Sequence, residues 1–234
     1  MNRILNAYDR ALLELQQNIL QMGEYVANQL DQALKALKDQ DRVLAQQVVA
    51  GDDGADDLAH DIEMSSLDLI SLQQPTGDDL RTLATVMRVS RELERIGDYA
   101  VNIAEVAGRL AKLGPYFKPL VDIPHMSDLA RSMLRRSLQA LVERNLEIAR
   151  EVVKADDVVD RLFEALYDEL VAYMKKGPEY VDQASYLALV ARYLERIADH
   201  AVNIAEMAVY RETGERRAFR ERQGPQKIIP PGKK

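Results

Sequence analysis

The sequence predicts an all-α protein built as two pseudo-symmetric three-helix bundles. Apolar residues recur every three or four positions along most of the 234 residues, and no segment alternates as a strand would. In addition, a fifteen-residue segment at 91–105 returns at 192–206, with twelve identical positions and a constant offset of 101. An internal repeat of this kind indicates that the chain is divided into two similar helical halves.

Glycine and proline mark where the six predicted helices end. The break at Gln74-Pro75-Thr76 separates the second helix from the third, and Thr76 is expected to cap the third helix with Asp79 as its capping-box partner. Pro178 suits a first helical position. The predicted helices cover about 4–39, 41–73, 77–112, 126–143, 145–175 and 178–211. Helices of ~30 residues are ~45 Å long and need a bundle to bury their apolar stripes.

Residues 114–124 contain one glycine and three prolines and are predicted to be a linker. The domain prediction is then a first bundle at 1–113, the linker at 114–124 and a second bundle at 125–211. Residues 212–234 are rich in Lys and Arg, and we expect them to form a flexible basic tail.

Charge and composition exclude several classes of function. The net charge is −7, and because residues 211–234 carry +5, residues 1–210 carry −12. An acidic body argues against nucleic acid as a partner. The absence of cysteine excludes thiolate metal sites and cysteine nucleophiles. Without a run of ~18 apolar residues or a signal-peptide pattern, we expect a cytoplasmic protein, at most peripheral to a membrane.

Familiar catalytic motifs are also missing. The chain has no HExxH, no P-loop, no GxSxG, no glycine-rich dinucleotide turn and no Glu-x-x-His pair of the di-iron bundles. We therefore predict no catalytic residues and no enzyme.

The repeated segment keeps its polar face as well as its core face. Glu94 and Asp98 lie one turn apart on a helix, as do Glu195 and Asp199 in the second copy. A bundle needs only the core face to be kept, and paired carboxylates are ligands that hard metal ions prefer. We expect each carboxylate stripe to face outward and bind a cation.

The helix before each repeated segment carries a group of aspartates, and the two groups have the same spacing, 104 positions apart. These aspartates could complete each site. The predicted metal ligands are Glu94, Asp98, Glu195, Asp199, Asp52, Asp56, Asp156 and Asp160.

An alternative stays open at this point. Arg91 and Arg95 can pair with the carboxylates at i+3, which would make the stripe an ordinary ion-pair lattice. His60 could join Asp56, whereas His200 replaces Tyr99 of the first copy, so the repeat does not depend on it.

The two copies of LERI(G/A)D(Y/H)AVNIAE and the QPTGDDLR segment at 74–81 resemble the PhoU family over residues 1–210. The second half has Gly177-Pro178-Glu179 in place of the Gln-Pro-Thr element. The resemblance implies a peripheral, cytoplasmic, non-enzymatic negative regulator of the bacterial phosphate regulon. Such a protein connects the ATPase subunit of a phosphate ABC transporter to a sensor histidine kinase and restrains the kinase when phosphate is plentiful.

The resemblance also implies divalent or ferric ions, with multinuclear iron as one form, on Glu94, Asp98, Glu195 and Asp199. A homodimer is compatible with it. Two other functions remain as alternatives, a phosphate-permease accessory protein of the related helical family and a carboxylate-metal-dependent enzyme.

Overall fold

The computed structural model describes residues 7–215, and these residues form helices with no strand among them, which confirms the all-α class. The helices are α1 (Ala7–Asp39), α2 (Arg42–Ala50), α3 (Asp53–Gln73), α4 (Gly77–Leu110), α5 (Asp122–Glu143), α6 (Leu146–Met174) and, after a short 3-10 turn (Pro178–Tyr180), α7 (Val181–Thr213). Most of the predicted basic tail, from residue 216 onward, lies outside the described residues.

The helix predicted at 41–73 is wrong in one respect, because it is broken between α2 and α3. The carbonyl of Gly51 accepts hydrogen bonds from the Tyr25 hydroxyl and from Gln29 Nε2, each at 3.0 Å. A Cβ on Gly54 would collide with the Tyr25 hydroxyl. Side chains of α1 thus fill the break, and a contact between distant helices is not visible in the periodicity of one of them.

Two predicted helix starts also need correction. Thr76 stands at the N-cap of α4 in an extended conformation, but its side chain makes no capping hydrogen bond, so the predicted capping box is wrong. Helix α5 begins at Asp122 rather than 126, because Pro124 lies in its first turn, where a missing N–H costs little. Pro178 opens the 3-10 turn before α7, at a first helical position.

Helices α4 and α7 are central. Helix α4 packs against α1 and α7, and α7 packs against α5 and α6. The buried apolar side chains of both halves form one continuous cluster, which includes Leu93 and Ile96 of α4 and Leu194 and Ile197 of α7. The repeated segments therefore meet at the centre of the molecule.

The segment between the halves is tied to both of them. Gln183 of α7 accepts a hydrogen bond from the backbone N–H of Phe117 at 3.1 Å and donates to the carbonyl of Pro115 at 2.9 Å. The Tyr116 hydroxyl donates to the carbonyl of Leu37 at 2.5 Å, and burial raises the pKa of Tyr116 to about 12. The predicted linker is thus anchored at defined points on α1 and α7.

Candidate metal centre

The four repeated carboxylates lie beside the neighbouring helix of their half. The side chains of Glu94 and Asp98 are 16% and 34% exposed, and those of Glu195 and Asp199 are 13% and 19% exposed. All four positions are partly buried, so the prediction that the stripes face outward was wrong. Packing of α3 against α4 and of α6 against α7 covers these positions.

Each of these carboxylates is paired with the arginine three residues before it. The shortest separations are 3.6 Å for Arg91–Glu94, 3.0 Å for Arg95–Asp98, 2.9 Å for Arg192–Glu195 and 3.2 Å for Arg196–Asp199. The same lattice of i, i+3 pairs occurs in both copies, as the alternative interpretation expects. The arginines offset part of the mutual repulsion of the carboxylates.

Asp160, Glu195 and Asp199 form the second carboxylate cluster, between α6 and α7. Burial, with repulsion from Asp199 and Asp160, raises the pKa of Glu195 to about 7. Burial likewise raises the pKa of Asp160, with repulsion from Asp199 as the next cause, and burial raises the pKa of Asp199. Three carboxyl groups therefore share a partly dehydrated space in which full ionisation is costly.

Asp52, at the start of α3, lies near Asp98 of α4, and Glu94 lies one turn before Asp98; these three residues are called the first carboxylate cluster. Partial burial raises the pKa of Asp52, and repulsion from Asp98 is the next cause. The members on α4 and α7 correspond in the repeat, whereas Asp52 and Asp160 do not, and the first cluster is more open to solvent at Asp98 than the second is at Asp199.

A hard cation fits the chemistry of the second carboxylate cluster. Glu195 Oε2 is buried and has no hydrogen-bond partner, although the guanidinium of Arg196 lies 3.7 Å from it. Such an oxygen is an available ligand. Within residues 7–215, no three His, Asp or Glu side chains are already arranged to hold an ion, so binding would require carboxylates to turn toward one another.

The other predicted ligands do not share one environment. Asp56 is exposed on α3, whereas Asp156 is only 2% exposed within the unbroken helix α6. Asp52, which matches Asp156 by offset, is exposed at the break between α2 and α3. The offset of 104 therefore does not give equivalent positions, because only the first half has this break. His60 is exposed on α3, one turn after Asp56.

A polar contact beside the second carboxylate cluster was missed by sequence reasoning. Glu92 of α4 lies 2.6 Å from His200 Nδ1 and accepts a hydrogen bond from Asn203 at 2.9 Å. In the same interface, the ring of Tyr99 packs against those of Tyr193 and His200, with centroids 5.8 and 5.7 Å apart. Glu92 of the first copy corresponds to Tyr193 of the second, and Tyr99 corresponds to His200. Two of the three positions at which the copies differ are therefore contacts across the interface.

The third mismatch, Gly97 against Ala198, also has a packing cause. A Cβ on Gly97 would lie 3.0 Å from the Cβ of Ala55 in α3. The first two mismatches were the sequence signal that could have located the interface between the halves.

The family model described as the PhoU domain matches twice, at residues 19–107 and 123–208. The chain belongs to the PhoU family. Both matches coincide with the structural halves, and each contains one copy of the repeated carboxylate segment.

Similar proteins support the same assignment. The phosphate-specific transport system accessory protein PhoU homologue of Aquifex aeolicus is 39% identical, over 88% of this chain and 93% of its own length. The corresponding protein of Clostridium acetobutylicum is 37% identical, over 88% of this chain and 94% of its own length.

Solved PhoU structures share the fold of this chain. The crystal structure of PhoU from Pseudomonas aeruginosa matches with a TM-score of 0.85 and 32% identity, over 89% of this chain and 100% of that one. The crystal structure of the phosphate transport system regulatory protein PhoU from Streptococcus pneumoniae matches with a TM-score of 0.81 and 29% identity. The match covers 89% of this chain and 98% of that one. Between residues 7 and 215, no helix combines the length and apolar character needed to cross a membrane.

Proposed function

We propose that this protein is a non-enzymatic, cytoplasmic regulator of phosphate uptake and phosphate-regulon signalling. It binds the ATPase subunit of a phosphate ABC transporter and a sensor histidine kinase, and it restrains the kinase when phosphate is plentiful. The observation that carries this proposal is the match of both halves to a family whose similar members are named accessory proteins of phosphate transport.

The chemistry of the site supports a role in binding rather than in turnover. Glu94, Asp98, Glu195 and Asp199 are each paired with an arginine, and the second carboxylate cluster lies beside His200, which is itself paired with Glu92. Such groups present charge, and charge complementarity sets which partner surface is accepted and how fast the partners meet.

Metal binding is part of the proposal. Asp160, Glu195 and Asp199 would hold one cation, and Asp52, Glu94 and Asp98 would hold another. A bound cation supplies positive charge that offsets carboxylate repulsion. Arg192 and Arg196 keep their carboxylates oriented, and burial of Glu195 limits competition from water. Without thiolates, the donor set favours magnesium, calcium, manganese or iron ions.

The proposal is tested in a bacterium whose own PhoU-family gene has been deleted. Expression of a phosphate-starvation reporter at high phosphate is measured together with retention of the transporter ATPase and the kinase on the purified protein. Wild type should restore repression and retain both partners, and a variant with Glu94, Asp98, Glu195 and Asp199 changed to Ala should do neither fully.

A matched control changes Asp57, Asp61, Asp68 and Asp168 to Ala, because these exposed aspartates carry the same total charge. The control should behave as wild type. A wild-type protein that retains neither partner and leaves the reporter active would contradict the proposed function. Normal behaviour of the four-site variant would remove the clusters from it.

A further inference from the structure

Two helices of each half meet around a small cavity of about 10 Å³. Its lining includes Gln16 of α1, Thr85 of α4, Leu141 of α5 and Arg211 of α7, and the rest of the lining is mostly apolar. A cavity of this size has room for one water-sized molecule, which is held only where polar groups face it. The polar groups of the lining therefore decide what the cavity binds.

Arg211 brings a buried cation to this cavity. It is only 9% exposed, and its Nη1 donates a hydrogen bond to the carbonyl of Leu141 at 3.2 Å. Its Nε is buried and has no hydrogen-bond partner among residues 7–215. A guanidinium stays charged in a protein, and a buried donor without an acceptor is costly. Arg211 therefore needs an acceptor at Nε.

Thr85 brings a second buried polar atom, and its hydroxyl differs from three other buried hydroxyls on helices. Those of Ser66, Ser90 and Ser137 each donate to a carbonyl three or four residues earlier in their own helix. Thr85 is 1% exposed, and its Oγ1 makes no hydrogen bond within the described part of the chain. A hydroxyl can both donate and accept, so Thr85 can bind a ligand in the cavity that Arg211 also lines.

The charges around the cavity favour a neutral ligand over an anion. Leu141 lies in the last turn of α5, so Arg211 contacts the negative end of that helix dipole. Burial and Arg144 lower the pKa of Arg211, whereas Glu212 raises it, and Arg144 and Glu212 lie 3.5 Å apart as an ion pair. The positive charge of Arg211 is thus already partly offset, and its Nε lacks an uncharged acceptor.

We propose that one water molecule is bound in this cavity and links the two halves of the protein. It accepts a hydrogen bond from Nε of Arg211 and donates one to Oγ1 of Thr85, and the half-buried Gln16 offers a further partner. A bridging water is enthalpically nearly as good as a direct hydrogen bond. Helices α4 and α7 are then connected here as well as through Glu92 and His200. This inference does not depend on the proposed function.

Crystallography at a resolution that shows ordered water, with bromide in place of chloride, tests the identity of the ligand. We expect a single spherical peak within hydrogen-bond distance of Arg211 Nε and Thr85 Oγ1, with no anomalous signal at the bromine absorption edge. An anomalous peak would identify a halide and overturn the proposal. The absence of any peak, or a protein atom in its place, would also overturn it.

A double-mutant cycle tests the bridge in solution. Thr85→Val removes the hydroxyl with little change of shape, and Arg211→Lys keeps the charge but removes Nε. Because both changes break the same bridge, together they should lower the midpoint of urea unfolding by less than the sum of their separate losses.

The matched control combines Thr85→Val with Thr213→Val, because the Thr213 hydroxyl donates to the carbonyl of Val209 in its own helix. The losses of this pair should add. Additive losses for Thr85→Val and Arg211→Lys, or the same departure from additivity in both pairs, would overturn the proposal.

Discussion

At the scale of single residues, Glu195 is the group most affected by its surroundings. Burial beside Asp199 and Asp160 raises its pKa from 4.5 to about 7. A carboxyl whose pKa is higher in the folded state than in the unfolded state destabilises the fold when it is ionised. That cost is therefore present above about pH 7 and disappears as the pH falls toward 4.5.

Glu195→Gln should accordingly stabilise the metal-free protein at pH 8, by about 1–3 kcal/mol, and have little effect near pH 4.5. Urea denaturation at the two pH values measures this, with Glu63→Gln at an exposed position of α3 as the control. Equal effects at both pH values, or destabilisation at pH 8, would contradict the account of the second carboxylate cluster.

Gly54 is a second residue whose identity has a direct physical cause. Gly54→Ala would force Tyr25 away from the Gly51 carbonyl, with an expected loss of about 1–3 kcal/mol. Gly108→Ala is the matched control, since its Cβ would meet Ala45 at an ordinary 3.9 Å and should stabilise α4 by about 0.5–1 kcal/mol. Thermal unfolding of the two variants compares them, and similar melting temperatures would contradict this prediction.

At the scale of helices, α4 and α7 join the two halves through Glu92 and His200 as well as through the core. A double-mutant cycle with Glu92→Ala and His200→Ala should give a coupling free energy of about 1 kcal/mol. Additivity of the two single changes, within the error of denaturant titration, would show that the contact does not connect the halves energetically.

Periodicity predicted most helices to within a few residues because it reports which face each helix buries. It could not show the break before α3, which depends on Tyr25 and Gln29 of another helix. The same limit applies to the site. The repeat identified Glu94 and Glu195, but their covering by α3 and α6 depends on how the helices pack.

At the scale of the whole molecule, one apolar cluster extends through both halves, and the carboxylate clusters lie outside it. Stability should therefore depend little on bound metal. Treatment with a chelator should leave the helical circular dichroism nearly unchanged, in contrast to a zinc finger, whose folding depends on its ion. Loss of helical signal on chelation would instead make the cation structural.

We propose that the carboxylate clusters bind hard cations. The most direct measurement is a calorimetric titration of Mn²⁺ into metal-free protein at pH 8 and at pH 5.5. The comparison uses wild type, the variant with Glu94, Asp98, Glu195 and Asp199 changed to Ala, and the control with Asp57, Asp61, Asp68 and Asp168 changed to Ala. Wild type and control should bind Mn²⁺ at pH 8 and more weakly at pH 5.5, where Glu195 is protonated, and the four-site variant should bind none. Equal binding by all three proteins, or no binding by wild type at pH 8, would contradict the claim.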